Sequence, residues 1–254
     1  GTCLLGKRLG EKVERYESEV SRSRETSARI AELDLEFPAR LPDDAATAAL
    51  TDEDVMRFVR VRQAVASQAA AYRRVEDEAF PGEGKGVVRG VFGAVRSGMD
   101  APARRRELLD AAEPALRAES MGPTDLQRML EIVEWRFLRR PEARFLGLPE
   151  AQRREYLQAV LEERMLAAWT SGGLGSSTRV NGRSADEAAK DLERLRERIQ
   201  ALAAQAEGRV ALAPETVAAL EARRAELEAL RPDALDAMAP LTAEPVLTRF
   251  LDDD

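Results

Sequence analysis

Along this chain the apolar residues return every three or four positions, and each such run stops at a proline or in a glycine-rich stretch. That spacing lines one side of an α-helix with apolar side chains and leaves the other side for polar ones. A strand would need strict alternation, and the β-branched and aromatic runs that build sheets are missing. Only 5% of the 254 residues are aromatic, whereas the strong helix formers Ala, Arg, Glu and Leu dominate. The expected fold is therefore all-α: an irregular helical bundle with a long N-terminal helix and a C-terminal antiparallel helical hairpin. Apolar residues make up 44% of the chain, enough for at least one real core.

Residues 1–40 read as a stalk-like helix. Leu9, Val13, Tyr16 and Val20 are spaced four, three and four apart; Ser23 and Ser27 then interrupt the stripe before Ile30 and Leu33 resume it. A weakened stripe predicts an exposed stalk or a helix that needs a partner, and Phe37-Pro38 ends it. Residues 41–171 form the expected helical core. Thr51-Asp52-Glu53-Asp54 opens a helix in capping-box style, and its inward face reads Val55, Phe58, Val59, Arg62, Val65, Ala66, Ala69 and Tyr72. Arg62 is the polar exception on that face. Repeated glycines make residues 81–98 a flexible connector or a weak helix, although Val87, Val88, Val91, Phe92 and Val95 would share one helical face.

A helix over Ala101–Ala118 is expected to break or bend at Pro114. Thr124, with Gln127 three residues on, is the expected N-cap of the next helix. Leu126, Met129, Leu130, Val133 and Phe137 line one face there, while Ile132, Trp135 and Leu138 fill a second, which predicts a central position. Pro149-Glu150 starts another helix, with Leu157, Val160, Leu161, Met165, Ala168 and Trp169 inward. Residues 172–183 are a Gly/Ser linker. In residues 184–231, Leu192, Leu195, Ile199, Leu202 and Ala206 form an a/d seam, and a second limb carries Val217, Leu220, Leu227 and Leu230 with Arg224 interrupting it. Those two limbs are the predicted hairpin. Residues 232–254 are an irregular acidic tail.

Several kinds of chemistry lack their residues. The chain has no histidine, hence neither the commonest general base near neutral pH nor an imidazole metal ligand. Its one cysteine, Cys3, builds neither an intramolecular disulfide nor a thiolate zinc site. Gly82-Glu83-Gly84-Lys85-Gly86 lacks the spacing and the preceding strand of a phosphate loop. Glu131 and Glu134 share a helical face, but a di-iron site would also need Glu-x-x-His; pairing with Arg128, Arg136 or Arg139 is the simpler expectation. The short basic clusters Arg104-Arg105-Arg106 and Arg139-Arg140 read as solvated helix ends. Net charge is −7 with acids and bases mixed, so no basic nucleic-acid face is expected. No cofactor and no metal are expected.

These readings point to a non-catalytic helical interaction or scaffold protein, an accessory subunit of a larger assembly whose partners are other protein subunits. Leu9, Val13, Tyr16, Val20, Leu192, Leu195, Ile199, Leu202, Leu220 and Leu227 are the expected contact residues. The alternative is a small-molecule or lipid-binding helical module with an apolar pocket at Trp135, Met165 and Trp169. Gly1 to Gly6 read either as a tag remnant or boundary within a soluble bacterial protein, or as the trimmed end of a membrane anchor flanked by Lys7 and Arg8. In the second reading the N-terminus contacts a membrane.

Overall fold

The computed structural model describes residues 2–79, 87–171, 185–207, 211–239 and 241. The fold is all-α, and no strand occurs among the described residues. In chain order the helices are α1 (Thr2–Glu36), α2 (Asp52–Ala79), α3 (Val87–Ala118), α4 (Pro123–Leu130), α5 (Glu150–Ser171), α6 (Ala185–Glu207), α7 (Pro214–Ala222), α8 (Arg224–Ala229) and α9 (Leu235–Met238). Between α4 and α5 stand a π-helical segment, Glu131–Phe137, and a 3-10 segment, Pro141–Gly147.

Helix α3 lies between α1 and α2 and packs on both. Its pairs with α1 climb together in number: Arg106 to Glu19 at 2.6 Å, Thr26 to Asp110 at 3.2 Å and Arg29 to Glu113 at 3.1 Å. The two helices therefore run parallel. α2 runs the other way, because Arg57 donates to the Glu119 carbonyl just past the end of α3, while Tyr72 neighbours Arg105 further back. The α2 stripe is inward as expected at Val55, Phe58, Val59, Val65, Ala69 and Tyr72; Val61 joins it and Ala66 is exposed. The capping box also forms. The Asp54 N–H donates to Thr51 Oγ1 at 3.2 Å, and Asp54 Oδ2 accepts from the Thr51 N–H at 3.0 Å.

Three local expectations change. First, α3 passes through Pro102 and Pro114 without ending, and it takes in residues 87–98 as helix. Each proline deletes one backbone hydrogen bond, but burial of Leu108, Leu109, Ala112 and Leu116 holds the helix in place. Residues 80–86 lie outside the described residues. Second, the N-cap of α4 is Gly122, with Pro123 at the first helical position, rather than Thr124. Thr124 instead donates from its hydroxyl to Asp34 Oδ2 at 2.6 Å, and its N–H donates to Asp34 Oδ1 at 3.2 Å. A carboxylate of α1 thus satisfies the start of α4. Asp125 of α4 answers by accepting the N–H groups of Arg40 and Leu41 at 3.1 Å. Gly122 is required by this closeness: a Cβ there would strike Asp34 and come within 2.7 Å of the Phe37 carbonyl oxygen.

Third, the antiparallel partner of α6 is α5, not the limb after it. Arg196 pairs with Glu163 at 2.9 Å and Arg198 with Glu155 at 2.6 Å, and at the far end Leu166, Ala188 and Leu192 form a small apolar cluster. The predicted second limb divides at Arg223 into α7 and α8 and packs on α2 and the π-helical segment. The a/d spacing of α6 was real, but α5 presents the longer complementary helix. The main core joins Ile30 and Leu33 of α1 to α2, α3, α4, the C-terminal part of α6, residues 234–239 and Leu241.

Candidate functional site

Two arginine-paired carboxylates, Glu131 and Glu134, stand in the π-helical segment, met there by Arg62, Arg136, Arg140 and Arg153. A wider helical turn with i to i+5 bonding presents neighbouring side chains in directions a regular helix does not, and such turns recur at functional sites. Here the Leu138 N–H reaches the Val133 carbonyl at 2.9 Å, and Arg139 closes the segment in the left-handed region with φ 57°. Glu131, Ile132, Val133, Glu134, Trp135 and Arg136 are all buried.

Glu134 is 0% exposed. Its Oε2 accepts from Arg140 at 2.7 Å, and its Oε1 faces the Arg62 guanidinium at 3.3 Å. Arg62 in turn donates to the Arg231 carbonyl at 2.5 Å and touches Met238 Sδ at 2.8 Å. Burial pushes the Glu134 carboxyl above its ordinary value, and the two arginines pull it back. Burial likewise lowers Arg62, with Glu134 opposing the shift. Glu131 forms a second pairing: Oε1 accepts from Arg136 at 2.7 Å and Oε2 from Arg153 at 3.1 Å. The two carboxylates are therefore turned to separate arginine sets. Arg136 was among the expected partners; Arg128 instead binds the Leu41 carbonyl and Asp43. Among the described residues no group of three or more His, Cys, Asp or Glu is placed to hold a metal.

Arg105 departs most from its sequence reading. Within the basic run, Arg104 is exposed and Arg106 binds Glu19 and Asp110, but Arg105 is 1% exposed. It donates to the Ala237 carbonyl at 3.1 Å and to the Leu241 carbonyl at 3.5 Å, so it holds the C-terminal segment. Burial lowers its pKa, and nearby Tyr72 and Asp236 oppose that shift. No signal in the run marked Arg105 as different. Arg62 was visible as the one polar residue on an apolar face.

The expected contact residues separate into groups. Leu202, Leu220 and Leu227 are fully enclosed by the chain's own core, and Leu192 is buried against α5. They serve the fold and are not offered to a partner, which corrects that part of the expectation. Leu195 and Ile199 are half-buried, as are Tyr16 and Val20 on α1. The side chains of Leu9 and Val13 lie outside the described residues. Trp135 is enclosed: its indole N–H donates to the Ala206 carbonyl at 3.3 Å, and the ring lies against Gly147. The Met165 and Trp169 side chains lie outside the described residues, so the proposed pocket is represented by Trp135 alone. Arg224, the interruption in the second limb, stacks over Phe137 with its guanidinium carbon 4.5 Å from the ring centre.

No helix among the described residues is long and apolar enough to cross a membrane. Comparison with protein-family models, with curated proteins and with solved structures finds no match for this chain.

Proposed function

We infer that this chain is a non-catalytic helical interaction subunit, an accessory component of a larger assembly that contacts a membrane through its N-terminal end. The observation that carries the reading is the α5–α6 pair. It joins the main core through its base, where Leu202 and Ala206 are buried, and among the described residues its far end carries the small cluster of Leu166, Ala188 and Leu192. The opposite face of α6 carries Lys190, Arg194 and Glu197, all exposed and spaced for one helical side. A two-helix arm with a charged outer face suits a protein partner better than a substrate. The buried carboxylates support the same reading, because each is engaged by arginines in a structural role. Trp135, enclosed and hydrogen-bonded, lends nothing to the ligand-binding alternative.

The test is co-purification from the native source with the charge-reversed variant Lys190→Glu/Arg194→Glu/Glu197→Lys. The expected result is loss of partner subunits while helical content and melting temperature stay unchanged. An identical partner set at the same yield would overturn the assignment of this face.

A further inference from the structure

The C-terminal stretch is tied to the body on both sides of a short joint. Upstream, Leu227 and Leu230 are buried, and Arg140 donates to the Leu227 and Glu228 carbonyls at 3.3 and 3.1 Å, so the end of α8 is fixed. Downstream, Leu235, Met238 and Leu241 are buried, and Arg105 donates to the Ala237 and Leu241 carbonyls. Between the two run Arg231, Pro232, Asp233 and Ala234, with the Arg231 side chain exposed and paired to Asp233 at 3.2 Å.

Ala234 takes the strain of that turn. It is the N-cap of α9, a position that ordinarily has extended backbone, yet it sits in the left-handed region at φ 49° and ψ 36°. There the Cβ crowds the following carbonyl, a clash that glycine alone avoids. The bonds of α9 itself ask only for the Ala234 carbonyl, which accepts from the Ala237 and Met238 N–H groups. What requires the left-handed turn is the return of the chain onto α2 and α3 within so few residues. A short hinge under strain invites exchange of the segment beyond it between copies.

The seat of the segment favours the same exchange. Its polar grips are the guanidiniums of Arg62 on α2 and Arg105 on α3, aimed at the main-chain carbonyls of Arg231, Ala237 and Leu241. Burial lowers both guanidiniums from their ordinary values. An emptied seat returns both to water, which offsets part of the apolar surface exposed on opening. A second copy offers an identical segment, so every contact made within one chain is available again across two.

We propose that the segment from Leu235 onward is exchanged between two copies of this chain. Each segment fills the other copy's Arg62–Arg105 seat, and residues 231–234 are the hinge. The exchange uses neither the α6 face nor a foreign subunit, so it stands apart from the reading above.

The full chain is held just below its melting onset at rising concentration, cooled, and weighed by light scattering after size-exclusion chromatography. The expected result is a concentration-dependent dimer with the helical content of the monomer. Ala234→Gly relieves the closed monomer at both hinges and should raise the dimer dissociation constant about tenfold or more. Deleting Pro232 and Asp233 prevents closure within one chain and should leave the dimer alone; where that chain does not fold, Ala234→Gly decides. Lys190→Glu/Arg194→Glu/Glu197→Lys should dimerise as the parent does. A parent chain that stays monomeric at every concentration, a dimer indifferent to Ala234→Gly, or a folded shortened hinge that remains monomeric would each overturn the exchange. So would loss of the dimer in the α6 variant, which would assign the association to that face.

Discussion

At the scale of single residues, the informative group is Glu134 between Arg62 and Arg140. Removing one partner of a buried ion pair leaves an uncompensated charge and costs about 3–5 kcal/mol, whereas replacing both by apolar residues is often neutral or stabilising. Glu134→Leu is therefore expected to destabilise the chain strongly. The double variant Arg62→Met/Glu134→Leu should recover most of the loss, as read from a double-mutant cycle of chemical denaturation. Simple additivity of the two single variants would refute the coupling. Two carboxyls should also titrate in opposite directions. Hydrogen bonding to Arg223 at 2.7 Å holds Asp52 below its ordinary value, while burial holds Glu134 above its own. Asp52 thus contributes stability that is present above its unfolded value and lost as pH falls through the lowered one. The contribution of Glu134 runs the other way: it is complete below the unfolded value and lost as pH rises through the raised one. Carbon-detected NMR titration checks both, and Arg223→Met should return Asp52 to the ordinary range.

At the scale of elements, α1 is held differently from the others. Its interface with α3 consists largely of hydroxyls and ion pairs, with Glu19, Ser23, Thr26 and Ser27 buried and only Ile30 and Leu33 adding fully buried apolar side chains among the described residues. Amides in residues 15–28 are therefore expected to exchange with deuterium well before those of α2 and α4. High salt should speed that exchange further, since it screens the exposed pairs Arg29–Glu113 and Arg117–Glu36. Equal protection of α1 and α2 would show that the seam is not separable. The stops at Phe37-Pro38 and the capping box at Thr51 were legible because local rules alone decide them. The serines at 23 and 27 were legible as an interruption but not as an interface, because a small polar residue looks alike facing solvent or facing a closely packed helix. The cap of α4 was hidden for a related reason: its carboxylate comes from Asp34, 90 residues earlier. The pairing of α6 was missed because an a/d seam names a face without naming what covers it. Of the buried charge cluster, Glu131 and Glu134 were visible in the sequence. Arg153 of that cluster was not, nor was Arg105 beneath the C-terminal segment, since one inward-facing arginine within a polar run leaves no periodic trace.

At the scale of the molecule, the chain closes on itself late. Leu235, Met238 and Leu241 enter the main core, and Arg62 and Arg105 bind carbonyls of the same stretch. Truncation after Leu230 removes these three side chains and strands two buried arginines. At about 1.5–3 kcal/mol for each large apolar side chain, the loss should be on the order of 5 kcal/mol or more. It should appear as a large fall in the melting temperature of the whole chain; a truncated protein that melts like the intact one would show that the segment is peripheral. The exchange of carboxylates between Asp34 and Asp125 has a reach of its own. One residue inserted in α1 between Ile30 and Asp34 would rotate Asp34 by about 100° at 3.6 residues per turn, swinging it away from Thr124 while Ile30 stayed seated. The phase of α1 is therefore locked to the first turn of a helix that starts 89 positions downstream of Asp34, at Pro123, and evolution can lengthen α1 without breaking that lock or the pairs with α3 only N-terminal to Glu19.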